Sequence, residues 1–496
     1  MVSKSQFELG TKFLRSSAWL VVAIAIAFVG LPALAEETEA DSSKAAEKPK
    51  PSRATTIVNS ITSLFGVTVD STAQESTDTD ESDEAKPPVL GDATHRQATV
   101  VSIQGVNSPS WKLAAFCTLA DGRLVAAVGP KSRYGAEVPD PSAKTATKYR
   151  GEIQVLDRTG KQTATWPLEF APETVNVAPD GSVYVGGSGK LAHVSAEGKI
   201  LACIDSPHVA ESLKDPDKLR ETAEQQLKQR EEQANRMKPM LERFEKQLAS
   251  LEKRKAEEKK DSPSLDKQIQ SMKQVVEAYR QRVDAPGPVI TIEQIIDGIK
   301  SRLSSIHSIA VSEKDVFFVT ASTEGYGYVV WRTNREFAEP EQVVDNLSGC
   351  CGQMEIQCCD DCLFAAENSR HRVVKFDRDG KQLASFGNRD RKGDGAGFGS
   401  CCNPMNVRFS PSGDLFTSES NGVVKRFTPA GKFIESVGVA HVTPGCKSSI
   451  IALAPDLNRI YYFDSANSTI VLLDRKAAVE SEIKDQASAK PARSVN

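Results

Sequence analysis

The sequence predicts an all-β fold: a six-bladed β-propeller closed by an N-terminal strand and interrupted by an inserted antiparallel α-helical coiled-coil hairpin. Three observations carry this. A four-strand repeat recurs in the C-terminal half, the last repeat is one strand short while an unclaimed strand precedes the first, and two heptad stripes occupy the middle of the chain.

Residues 1–35 read as a secretory signal peptide. Lys4, Lys12 and Arg15 precede an apolar run from Ala18 to Leu31, and Ala33-Leu34-Ala35 supplies an A-x-A cleavage site. The run is short for a bilayer span, which needs about 20 residues. The chain is therefore expected to be exported, periplasmic or extracellular, with no transmembrane domain in its mature part. Residues 36–95 are rich in Ser, Thr, Glu, Asp, Ala and Pro, and are expected to form a disordered spacer, because such a segment cannot bury enough apolar surface to offset its ordering entropy.

The repeat emerges when Cys350–Gly387 is set above Cys401–Gly438. Each segment holds four short runs rich in Val, Ile, Phe and Leu, separated by turn residues such as Asp379-Gly380, Ser412-Gly413 and Ala430-Gly431. Short apolar runs with tight turns describe a four-stranded antiparallel meander. Weaker copies begin near Trp111, Pro172 and Ile306, and a last one spans Ser448–Lys476. That last copy stops after three strands. The strand 98–105 is predicted to supply its missing outer strand and remove an open edge. Blades 1 and 2 then occupy 96–206, blades 3 to 6 occupy 301–476, and 477–496 is a flexible tail.

The insertion, 207–300, carries two stripes: Ala234, Met237, Leu241, Phe244, Leu248 and Leu251, then Leu265, Ile269, Met272, Val276, Tyr279 and Val283. Spacings of three and four place each set on one helix face, so the two helices are expected to pair as a hairpin. Pro239 should kink the first helix, and a further helix should start at Thr291, capped with Gln294. Such an arm suits a partner or oligomerisation, and equally a self-satisfied hairpin with a solvated face.

Within this frame the fourth and fifth repeats resemble the NHL-repeat family. ENSRHRVVKFDRDGKQLASFG (367–387) is similar to the family's acidic-x-x-N-x-R line, with Glu367 where Asp is usual and Arg372 at the Arg position. GNRDRKGDGAGFGSCCNPMNV (387–407) resembles its Gly-rich connector. The resemblance implies a propeller scaffold and no single activity, since members include RNA-binding domains, bacterial sensor domains and a peptide-amidating lyase.

In an up-down meander the turns after odd strands lie at one end, and the turns after even strands and the blade connectors lie at the other. The insertion, the loop 129–150 and the connectors carrying Cys350, Cys351, Cys401, Cys402 and Cys446 all fall on the second face, where binding is expected. Inner-strand alternation turns Glu355, Gln357, Asn406 and Arg408 toward the channel. The turns add Glu367, Asn368, Arg370, His371 and Glu419, read as ligand contacts or as solvated turn residues. His307 falls on the packing side.

Repeat alignment places Cys351, Cys402 and Cys446 at equivalent positions around the channel mouth, with Cys358, Cys359 and Cys362 at the opposite face. Ten Cys in an exported chain point first to disulfides. A thiolate-bound metal as cofactor and a redox dithiol remain open for the mouth group. Cys359–Cys362 is a formal C-x-x-C but sits in a hairpin, without the helix N-terminus that lowers a thiol pKa. The inferred channel has one carboxylate, no His and no nucleophile–base pair. With 62 Lys and Arg against 66 Asp and Glu, and no basic stretch in the repeats, nucleic-acid binding is not expected. The sequence thus predicts an extracytoplasmic binding or scaffold module for a protein or small-molecule ligand. The alternative is a metal- or thiol-dependent oxidoreductase working at the cysteine-ringed mouth.

Overall fold

The structure is a computed structural model describing residues 92–130, 148–257, 262–284, 290–323, 326–390, 395–399, 402–443, 445 and 447–476. The signal segment, nearly all of the spacer, most of the 129–150 loop, the tail after 476, Cys401 and Cys446 lie outside the described residues.

Among the described residues, the strands form six four-stranded antiparallel sheets, arranged as the blades of a propeller. The first sheet holds β2 (Lys112–Thr118), β3 (Leu124–Gly129), β4 (Gly151–Leu156) and β5 (Gln162–Leu168). The second holds β6 (Thr174–Val177), β7 (Val183–Gly187), β8 (Lys190–Val194) and β9 (Ile200–Asp205). After the helices come β10 (Ile306–Val311), β11 (Asp315–Ala321), β12 (Tyr328–Asn334) and β13 (Glu341–Leu347), then β14 (Glu355–Cys359), β15 (Cys362–Glu367), β16 (Arg372–Asp377) and β17 (Gln382–Phe386). The fifth sheet is β18 (Asn406–Phe409), β19 (Leu415–Ser418), β20 (Val423–Phe427) and β21 (Phe433–Val439). The last joins β22 (Ile451–Leu453), β23 (Arg459–Asp464) and β24 (Thr469–Arg475) to β1 (His95–Ser102), which lies antiparallel to β24.

Burial follows position in the sheet. The second strands β3, β7 and β15 are buried along almost their whole length, because sheets pack on both of their faces. The fourth strands β9 and β17 are mostly exposed and tolerate polar residues. Each first strand neighbours that of the next sheet, and β22 neighbours β2, so the innermost strands surround an axis. The turns after the first and third strands of each sheet are tight. In DRDG the Gly380 amide bonds the Asp377 carbonyl at 3.2 Å with φ +85°, and a Cβ there would meet the Val343 carbonyl. Arginines tie neighbouring sheets at this end: Arg335 to Asp180 and Arg378 to Asp315.

β1 starts at His95, three residues before the expected strand and inside what composition marked as spacer. His95 is buried, and its Nε2 lies 2.9 Å from the Leu457 carbonyl. The Gln97 Oε1 accepts the His441 amide at 2.7 Å, so this strand also bonds the chain leading out of the fifth sheet.

The insertion comprises α1 (Pro207–Ser212), α2 (Pro216–Glu257), α3 (Pro263–Asp284) and α4 (Ile292–Ser304). Thr291 and Gln294 form a reciprocal capping box at the start of α4. Arg280 pairs with Glu245 and Lys273 with Glu252, which sets α3 antiparallel to α2. The apolar stripes form two separate clusters. An outer one joins Leu241, Phe244 and Leu248 to Val276 and Tyr279; a basal one joins Leu219 and Ala223 to Ile295, Ile299 and Leu303. Helix α1 was not expected, and α4 runs four residues past the predicted boundary at 300. Pro239 lies inside a helix assigned without interruption. Among the described residues, no helix is long and apolar enough to cross a membrane.

Candidate functional site

The four predicted channel residues all lie on the innermost strands around the axis, where they make separate polar contacts. The Ser308 hydroxyl donates to Glu355 Oε2 at 3.2 Å, and Arg408 Nη1 stands 3.6 Å from the same oxygen. The Asn176 amide donates to Gln357 Oε1 at 2.9 Å and to the Ile309 carbonyl at 2.8 Å, so it links side chains of the second and fourth sheets past the third. The Arg408 charge is also felt at Cys117 in the first sheet, where it opposes the burial that pushes that thiol up to about 12. Asn406 accepts the Ile451 amide at 3.3 Å, while its Nδ2 is buried and has no partner among the described residues. Opposed charges and paired amides line the inner strands here. They do not make the nucleophile–base geometry that hydrolysis or group transfer requires.

Gln353, which sequence reasoning missed, locks three sheets together above these residues. Its Nε2 donates to the Met405 and Ser449 carbonyls, both at 2.8 Å, and its Oε1 accepts the Ser449 amide at 3.1 Å. It sits in the sequence directly after a Cys-Cys-Gly turn, but nothing local marks a glutamine as fully buried.

The turn residues sort into two groups. Glu367 and Asn368 are fully buried, and Glu419 is 2% exposed. Glu367 accepts the Ser348 amide at 2.9 Å and pairs with Arg370 and Arg372. Glu419 repeats the device one sheet on, accepting the Gly399 amide at 3.0 Å and pairing with Lys425. Burial pushes the Glu419 carboxyl up, and the Lys425 ammonium opposes this. Asn368 Oδ1 accepts the Cys350 amide at 2.7 Å, and its Nδ2 donates to the Cys350 and Gln353 carbonyls at 3.3 and 3.2 Å. These three side chains hold the connectors in place and are not the solvated residues their turn positions suggested. Arg370 is half exposed, and His371, in the left-handed region at φ +54°, has its pKa lowered by burial and by Arg389.

His307 stacks edge-on against Tyr328, with Nδ1 3.1 Å from the Gly352 carbonyl, as part of the packing beside the connector. In the insertion, His208 is fully buried between Ser206 Oγ at 2.6 Å and the Leu303 carbonyl at 2.9 Å, and burial lowers its pKa to about 4.

The cysteines divide by face. Cys351 and Cys402 Sγ atoms lie 3.4 Å apart, Cys350 and Cys351 Sγ atoms 3.6 Å apart, and all three sulfurs fall within 4.8 Å of one another. Cys350 and Cys351 are half-buried and Cys402 is fully buried. At the other end of β14, Cys359 pairs with Cys362 across a tight turn. Burial pushes Cys359 up to about 11 and raises Cys358 further, so these two thiols are neutral and poor nucleophiles.

No family model matches this chain, and no curated protein matches it either. Solved structures similar to it are β-propeller proteins. A gluconolactonase from Xanthomonas campestris matches at 10% identity and a TM-score of 0.38, over 78% of this chain and 98% of that one. Regucalcin from Agrobacterium tumefaciens, described as a calcium-binding protein, matches at 11% and 0.36, over 77% and 95%. The WD40 repeats of RRP9 match at 6% and 0.36, over 77% and 98%. At this level of similarity none of them transfers an activity to this chain.

Proposed function

We propose that this chain is an exported NHL-type propeller acting as a binding or scaffold module. In this reading β1 closes the ring and the insertion is a coiled-coil arm, open also to self-association. A protein or small-molecule partner is held on the face shared by the arm, the 129–150 loop and the cysteine mouth. One observation carries the reading: the elaboration is one-sided. Every described turn after the first or third strand of a sheet is short, whereas a 42-residue helix with its 22-residue partner, the half-exposed Arg370 and the fully exposed Tyr326 belong to the other end. Tyr and Arg are the residue types that interfaces favour. Glu355, Gln357, Asn406, Arg408 and His371 then form the floor of the site. Glu367, Asn368 and Glu419 shape it from below.

The converging sulfurs favour a second reading, a metal- or thiol-dependent oxidoreductase working at the mouth. Cross-linking of the exported protein in its native host separates the two. The module reading expects a covalent adduct that disappears when residues 228–285 are replaced by a short Gly/Ser linker. An adduct unaffected by that replacement removes the arm from the proposal. Loss of a thiol-dependent redox activity in Cys351→Ser, with no partner adduct in either chain, would favour the second reading.

A further inference from the structure

We infer that Cys350, Cys351 and Cys402 form a binding site for a thiophilic d10 cation, Cu(I) or Zn(II), at the channel mouth. Around an ion with metal–sulfur bonds of about 2.3 Å, sulfur pairs stand about 3.8 Å apart in tetrahedral and about 4.0 Å apart in trigonal geometry. The observed pairs at 3.4 and 3.6 Å fall a few tenths of an ångström short of those separations, and the third pair lies inside 4.8 Å. An ion can therefore enter by side-chain rotation, without moving the connectors. All three donors are soft, which selects Cu(I) or Zn(II) over Mg(II) and Ca(II).

A disulfide uses two sulfurs at about 2.0 Å and leaves the third idle, whereas a metal employs all three. The backbone around the donors is held in advance. Asn368 grips both polar groups of Cys350, and Gln353 binds the start of the next two sheets. Outer partners of this kind orient ligands, and their loss typically weakens metal binding about 10–100-fold. The half-buried Cys350 and Cys351 leave a solvent path, while the buried Cys402 anchors the inner side. On binding, each S–H yields its proton to solvent and each sulfur donates a lone pair to the ion, with no change of oxidation state. This inference stands on the mouth geometry and not on the partner reading, so either can fail alone.

The test uses the full mature chain, reduced and stripped of metal under anaerobic conditions. It is loaded separately with Zn(II) and with Cu(I), freed of excess ion and measured for bound metal, with chelator competition for affinity. We expect a single equivalent of one of the two ions to be retained. Cys351→Ser and Cys402→Ser should each abolish retention, Asn368→Ala should weaken it about 10–100-fold, and Cys359→Ser should bind as the parent does. Thermal melting of each variant identifies any that merely fails to fold. Retention of neither ion by the reduced parent overturns the inference. So does wild-type affinity in both folded mouth variants, or mass mapping of the unreduced chain that finds Cys351 and Cys402 quantitatively bonded to each other.

Discussion

Replacing Asn368 by Ala removes a fully buried amide that satisfies the Cys350 N–H at 2.7 Å and caps two carbonyls. The Cys350 carbonyl keeps the Gln353 amide at 3.2 Å, so the principal loss is a buried donor left without a partner. Such a donor costs about 1–3 kcal/mol, and with the weakened carbonyls the expected destabilisation is roughly 3 kcal/mol. Asn368→Asp is at least as damaging: it keeps the acceptor, loses both donors and sets a carboxylate against two carbonyl oxygens. Arg370→Ala, at a half-exposed neighbour, should stay within about 1 kcal/mol, the ceiling for most surface ion pairs. Equilibrium urea unfolding followed by far-UV circular dichroism measures all three. A loss below about 0.5 kcal/mol in Asn368→Ala would show that the connector is held by other contacts.

Three further outcomes follow from the same contacts. A chain starting at Ser108 lacks β1 and exposes the edge of β24, so it should aggregate or unfold on size-exclusion chromatography; a stable monomer there would refute the closing role of that strand. Replacing 228–285 with a short linker should leave the melting temperature of the sheets nearly unchanged, because the outer helical cluster shares no residue with the basal one, and collapse would show coupling between them. His208 has a pKa depressed from 6.5 to about 4, so the fold favours its neutral form. Its contribution is complete above pH 6.5 and declines as pH falls toward 4, by roughly 3 kcal/mol in all. His208→Gln should flatten this stretch of the stability–pH curve, and an unchanged slope would contradict the assignment.

The four-strand unit was legible because its punctuation is local: an Asp-Gly or Ser-Gly turn between apolar runs demands one geometry wherever it occurs. The hairpin stripes were legible for the same reason, since a 3.6-residue period needs no tertiary information. What stayed hidden depends on neighbours distant in sequence. Glu367 and Asn368 sit in a polar turn, which reads as solvated until the connector 348–353 folds across it. SPHVAES gave no apolar stripe, so α1 and its buried histidine were invisible.

The proposed function turns on which face meets a partner. Photo-cross-linking residues placed singly at Tyr326 and Arg370 on the elaborated face, and at Glu197 and Asp456 on the tight-turn face, test this directly in the native host. Partner adducts are expected from Tyr326 and Arg370 and none from Glu197 and Asp456. Adducts from the tight-turn positions alone would contradict the proposed function.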